Sequence, residues 1–116
     1  MNSSIYLDIG NSNAKWKFKD KYFETPTNKF NLDILPNSSR IWVSNVSSGF
    51  VLKSKSNISL VESQKRYKSL FNAYKEPNKL GADRWFAMIA SYEMNPSKGF
   101  IVVDIGSAVT IDLVNK

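Results

Sequence analysis

Two stretches of the chain carry nearly the same residues in the same order: Ile5-Tyr6-Leu7-Asp8-Ile9-Gly10-Asn11-Ser12 and Ile101-Val102-Val103-Asp104-Ile105-Gly106-Ser107. In each, an apolar run ends in Asp-Ile-Gly and then a small polar residue. A carboxylate at a strand end can hold hydrated Mg²⁺ or another cation. Glycine lets the backbone turn without a Cβ, so a phosphate can come close to the main chain. Ser12 and Ser107 add hydroxyl donors. One Asp-x-Gly alone is an ordinary hairpin turn; a second copy after a second buried run favours a pair of loops that cradle a nucleotide's phosphates. The two acids stand roughly a hundred positions apart, well beyond the 20–50-residue period of a solenoid, which points to duplicated domains.

A third group is Tyr74-Lys75-Glu76-Pro77-Asn78-Lys79-Leu80-Gly81-Ala82-Asp83-Arg84. Gly81 to Arg84 open an expected helix, where unpaired amides and the macrodipole favour anions. Taken singly, Asp83 could cap that helix and Arg84 could be a surface partner for a carboxylate. Together with Tyr74 and the two loops they suit a small acidic substrate. The chain contains no cysteine and no histidine. That composition excludes a thiol nucleophile, a thiolate zinc site, a Ser-His-Asp triad and an imidazole base. Chemistry here must run on carboxylates, hydroxyls, backbone amides, Lys and Arg.

The 116 residues allow one ordinary domain, or one domain and the start of another. With 42% hydrophobic and 13% aromatic residues the chain is too apolar to be disordered. Its net charge of +6 could signal nucleic acid. The lysines, however, fall in loose groups at Lys15 to Lys21, Lys53 to Lys55 and Lys65 to Lys68, the pattern of solvated faces. The first residues are too few and too polar for a signal peptide, and no apolar run approaches the ~20 residues of a membrane span. A cytoplasmic, soluble protein without membrane contact is the expectation.

Several elements must position these residues. Ile5 to Ile9 reads as a strand, Gly10 to Asn13 as a hairpin turn, and Trp16 and Phe18 between lysines as a half-buried second strand. Tyr22 to Thr25 forms a third, stopped by Pro26. A short helix is expected at Phe30 to Leu35, then strands at Ile41 to Val43 and Ile58 to Val61. Leu80 to Met94 is the clearest helix, with Trp85, Met88, Ile89 and Tyr92 on one face. Phe100 to Val103 and Val109 to Val114 make a final hairpin. The class is therefore α/β with a mixed sheet: an antiparallel meander, then parallel strands with helices. Because a two-strand hairpin is unstable alone, the last hairpin reads as the opening of a second unit.

In order, Asp8-Ile-Gly-Asn-Ser-Asn-Ala-Lys15, Tyr74-x₆-Gly81-Ala-Asp83-Arg84 and Asp104-Ile-Gly-Ser-Ala-Val-Thr-Ile-Asp112 resemble the motifs of type III pantothenate kinases. These belong to the acetate-and-sugar-kinase, heat-shock ATPase and actin superfamily. The resemblance runs from Ile5 to Val114. It implies a ribonuclease H-like, actin-like ATPase domain over residues 1–98 and the first hairpin of a similar domain over 99–116, in a family whose members are about twice as long. It implies ATP-dependent phosphorylation of the 4′-hydroxyl of pantothenate, the first step of coenzyme A biosynthesis, by a homodimer.

Residue by residue, the resemblance implies ATP binding by Asp8, Ile9, Gly10, Asn11, Ser12, Asn13, Ala14, Lys15 and Ser107, with Asp8 near Mg²⁺ through water. Tyr74, Gly81, Ala82, Asp83 and Arg84 would contact pantothenate, Asp83 as the proton acceptor. Asp104 would bind a monovalent cation, K⁺ or NH₄⁺. Ser107 stands where threonine is usual, and Ile105 where alanine is commoner. Two other readings are a catalytically silent module of the same fold that binds a partner or nucleic acid, and another small-molecule kinase of the superfamily. The chain by itself is expected to turn over little, and the unpaired edge of its last hairpin offers a place for a second copy.

Overall fold

The computed structural model describes residues 3–52 and 55–116; Met1, Asn2, Lys53 and Ser54, and with them part of the Lys53 to Lys55 group, lie outside the described residues. The chain divides into two compact units, Met1–Val61 and Glu62–Lys116.

In the first unit, period-two apolar residues make β1 (Ser4–Ile9) and β2 (Asn13–Phe18), and β3 (Lys21–Pro26) completes an antiparallel meander. β4 (Arg40–Asn45) joins the free edge of β1 in parallel, and β5 (Ile58–Leu60) joins β4 in parallel. The sheet order is β3-β2-β1-β4-β5. Ile5, Leu7 and Ile9 point to one face and are buried with Ala14, Trp16, Ile41 and Val43. Phe30 closes this core, its ring 5.8 Å from Trp16 and 5.4 Å from Phe50. The helix expected at Phe30 to Leu35 is a single 3₁₀ turn at Leu32–Ile34, started by the Asn31 side chain accepting from the Asp33 amide. Pro36 follows at once and leaves no room for α-helical turns.

The second unit begins with a small hairpin that local patterning does not foretell, β6 (Arg66–Tyr67) and β7 (Leu70–Phe71), turning through Lys68 at φ 50°. A 3₁₀ turn at Pro77–Lys79 leads into α1 (Ala82–Met94), so Leu80 precedes the helix instead of opening it. Trp85 and Met88 of α1 are buried with Leu70 and Leu80, and Ile89 and Tyr92 pack beside them, as the 3.6-residue spacing requires. β8 (Phe100–Ile105) and β9 (Val109–Val114) form the last hairpin. Val102 and Val114 press one face of it onto the α1 cluster. On the other face Ile101, Val103, Ile105, Val109, Ile111 and Leu113 are all more than half exposed. The architecture is mixed α/β. No helix among the described residues is long and apolar enough to cross a membrane.

Candidate active site

The first acidic loop sits where parallel β1 and β4 both end, outside their carboxyl ends. Ligands collect at that place in open α/β sheets. Asp8 lies opposite Lys15 on β2 and beside Ser44 on β4, so the three share one face of the sheet. The loop between Ile9 and Ala14 is closed by the Gly10 amide donating to the Asn13 carbonyl at 2.9 Å. Thr27, buried behind it, donates its hydroxyl to the Gly10 carbonyl at 2.7 Å and its amide to the Ser12 carbonyl at 2.9 Å. The Asn11 side chain accepts from the Ser48 amide at 3.1 Å. The loop is thus held from two sides, by residues that carry no motif of their own.

The second acidic loop repeats this plan with one difference. Ile105 pairs directly with Val109, so three residues connect the strands where the first loop has four between Ile9 and Ala14. The Gly106 amide closes it on the Ala108 carbonyl at 3.0 Å. Neither glycine has a positive φ. Both spend their own amide on the turn, so what each offers a phosphate is a surface without a Cβ. Asp104 stands opposite Thr110, and Asp112 opposite Val102. These residues share the hairpin face that packs toward α1.

Placement of the third group depends on the hairpin β6–β7. Asn72 is buried at 3% exposure, and its side-chain oxygen accepts from the Tyr74 amide at 3.0 Å. Lys65 reaches the carbonyls of both Asn72 and Tyr74, at 2.9 and 3.2 Å. Ser63, also buried, donates to the Leu80 carbonyl at 2.7 Å and so fixes the approach to α1. Gly81 is the N-cap residue, and no side chain caps the helix. Asp83 is half-buried in the first turn. Its carboxylate makes no ion pair and no side-chain hydrogen bond in the contact network of the described residues, whose ion pairs are Lys68–Glu93 and Arg84–Asp112. An acid in that position keeps its lone pairs for a ligand or a proton.

Arg84 is engaged. Its Nε donates to Asp112 Oδ2 at 3.0 Å and its Nη2 to Oδ1 at 2.5 Å, a two-bond fork. The Asp112 hydrogen bond and charge, with a smaller contribution from the Tyr74 hydroxyl beside it, hold the guanidinium above its ordinary range against the opposing effect of burial. Tyr74, Arg84 and Asp112 therefore cluster, with Asp83 one residue away. Beside them opens a cavity of about 530 Å³ lined by Tyr74, Asp112, Leu70, Leu80, Met88 and Tyr92 among others. Asn72, Lys98 and Lys116 line it too, and neither Asp83 nor Arg84 is among its lining residues.

The motifs single out Asp8, Lys15, Tyr74, Asp83, Arg84, Asp104 and Ser107, whereas no sequence signal gives a role to Thr27, Ser44, Ser63, Asn72 or Asp112. Ser44 Oγ is buried with no hydrogen-bond partner among the described residues. That orphaned oxygen next to Asp8 fits a hydrated cation held partly by phosphates. No group of three or more carboxylates gathers among the described residues.

The sequence model described as type III pantothenate kinase matches residues 21–116. A type III pantothenate kinase of Colwellia psychrerythraea is 26% identical over 95% of this chain and 51% of its own length. That of Hahella chejuensis is 33% identical over 95% of this chain and 52% of its own length. A shorter match, to the Pseudoalteromonas translucida protein of the same name, reaches 56% identity over 37% of this chain and 18% of its own length. The chain thus spans about half the length of the curated relatives it matches. On the ordered motifs and a family match that covers most of its residues, the chain belongs to the type III pantothenate kinase family.

Proposed function

We propose that this chain carries the phosphate-binding and substrate-binding motifs of an enzyme that transfers the γ-phosphoryl group of ATP to the 4′-hydroxyl of pantothenate, opening coenzyme A biosynthesis. The observation that carries this reading is the grouping of Tyr74, Arg84 and Asp112 at the N-terminus of α1, next to an Asp83 that pairs with no other side chain among the described residues.

In this reading the Asp8 to Lys15 loop and Ser107 hold ATP. Lys15, across from Asp8, brings positive charge to the phosphates. Arg84 grips the pantothenate carboxylate with its planar donors, a task that lysine does less well. Tyr74, Gly81 and Ala82 border the substrate. The unpaired amides of the first turn of α1 favour the anion. Asp83 accepts the hydroxyl proton late, as the bond to phosphorus forms. Phosphoryl transfer asks mainly for positioning and charge neutralisation, so a positioned carboxylate suffices and no histidine is required.

Asp8 and Ser44 would hold hydrated Mg²⁺ through water, and Asp104 a monovalent cation, K⁺ or NH₄⁺. Bound there, the cations would neutralise phosphate charge. An actin-like architecture, a last hairpin that belongs to a second similar domain, homodimerisation and a cytoplasmic location are part of the same proposal.

The test is Asp83→Asn in the complete gene product. Pantothenate phosphorylation is expected to fall by about 10²–10⁴-fold, the usual contribution of a positioned proton acceptor, while ATP binding persists. Unchanged turnover would remove Asp83 from the chemistry.

A further inference from the structure

Asp112 closes the motif that begins at Asp104, yet it has no role in the transfer described above. Its carboxylate occupies the Nε and Nη2 edge of Arg84. Both side chains are partly withdrawn from water, at 28% exposure for Arg84 and 12% for Asp112. The two ends of this contact are anchored on one core. Asp112 lies opposite Val102 on a hairpin whose Val102 and Val114 are packed against the α1 cluster. Arg84 precedes Trp85, which is 1% exposed in the same cluster. A guanidinium has five N–H donors in a rigid fork. The Asp112 contact uses the Nε and Nη2 edge, and the Tyr74 hydroxyl lies beside the same guanidinium.

We propose that Asp112 is a positioning residue: it fixes the rotamer and plane of Arg84, so that the outer edge of the guanidinium is pre-set for the carboxylate of the acidic substrate. This deepens the reading under which Arg84 binds that carboxylate, and it rests on it. An arginine left to itself spreads over many rotamers and must be ordered each time the substrate arrives. With one edge tied to a strand that packs on the same core, that ordering is already complete. The pairing also links the second acidic loop to the substrate helix, because β9 is the return strand of that loop.

The experiment compares wild type, Asp112→Asn and Asp112→Glu in the complete gene product. Substrates are pantothenate and its neutral analogue, in which CH₂OH replaces the carboxylate. Asp112→Asn is expected to raise KM for pantothenate about 10- to 100-fold, the scale on which small misplacements act, with kcat and KM for ATP held within a few-fold. KM for the neutral analogue should not move. Asp112→Glu, which keeps the charge, should recover part of the loss, and it carries the test if the asparagine variant does not fold.

An unchanged KM for pantothenate, an equal rise for both substrates or a fall in kcat alone would overturn the role of Asp112. A wild-type protein that phosphorylates neither substrate would overturn the reading of the site itself, and the role of Asp112 with it. The two failures differ in whether the wild type is active.

Discussion

Gly106→Ala separates a ligand role from a turn role at the second acidic loop. A Cβ built on Gly106 would meet its nearest heavy atom, the Ala108 carbonyl oxygen, at 4.0 Å, which is ordinary van der Waals contact. The residue has no positive φ, so alanine can adopt its backbone conformation without strain. The replacement should then stabilise the fold by about 0.4–1 kcal/mol, because the unfolded chain loses freedom. For 116 residues, at ~2.1 cal/mol/K of unfolding entropy per residue, that raises Tm by about 2–4 °C.

If a phosphate rests on the surface that glycine leaves bare, the same methyl group blocks it. KM for ATP should then rise about tenfold or more, equivalent to ~1.4 kcal/mol. The assay is a thermal melt of the complete gene product beside initial rates at varied ATP. Gly10→Ala is the contrast: its Cβ would lie 3.3 Å from the Asn13 carbonyl oxygen that closes the turn, so the gain in Tm should vanish there. A Gly106→Ala protein that melts several degrees lower would show that the turn itself needs glycine. A raised Tm with an unaltered KM for ATP would refute the close approach of the phosphate.

Two further outcomes follow from the second unit. Trp85→Ala removes a side chain that is 1% exposed and central to its cluster. It should cost about 3–5 kcal/mol, read as a fall in urea midpoint. The second concerns the group formed by Lys68 Nζ and the Tyr67 hydroxyl, which donate to Glu93 Oε1 at 2.6 and 2.8 Å. Lys68 first, and then Tyr67, hold the Glu93 carboxyl below its ordinary 4.5, and Glu93 holds the Lys68 ammonium above its ordinary 10.5. The stability that Glu93 contributes is complete above its unfolded value and lost as pH falls through the depressed folded value. That from Lys68 is lost as pH rises through its raised folded value. Glu93→Gln should therefore change little near pH 7, where an exposed pair contributes little, and flatten the decline in Tm below about pH 4.5. An acid limb identical to wild type would rule out the pair as its source.

Much of this architecture was legible in short windows of sequence. The apolar run Ile5 to Ile9 and the alternation of Trp16 and Phe18 with lysines specify strands because one face of each must leave water, and the structure buries Ile5, Leu7, Ile9 and Trp16 accordingly. The spacing of Trp85, Met88, Ile89 and Tyr92 specifies the helix for the same reason at a different period. The 3₁₀ turn at Leu32–Ile34 and the hairpin at Arg66–Tyr67 and Leu70–Phe71 escaped that logic. Segments of two or three residues complete no period, and the loops around them settle their conformation.

Residue types and order alone determined that chemistry must proceed without thiol or imidazole, that two Asp-Ile-Gly loops exist, and that Asp83 and Arg84 open a helix. Tertiary structure decided which of these groups pair with another side chain of the chain. Asp83 and Asp112 are the same residue type, yet one makes no side-chain pair among the described residues while the other binds Arg84 across a separation of 28 positions. Thr27 and Asn72 carry no motif, but they hold the first loop and Tyr74 in place. Periodicity is a local consequence of burying one face, so it is written in consecutive residues. A hydrogen bond between an α-helix and a strand depends on how the two dock, and no local window contains that information.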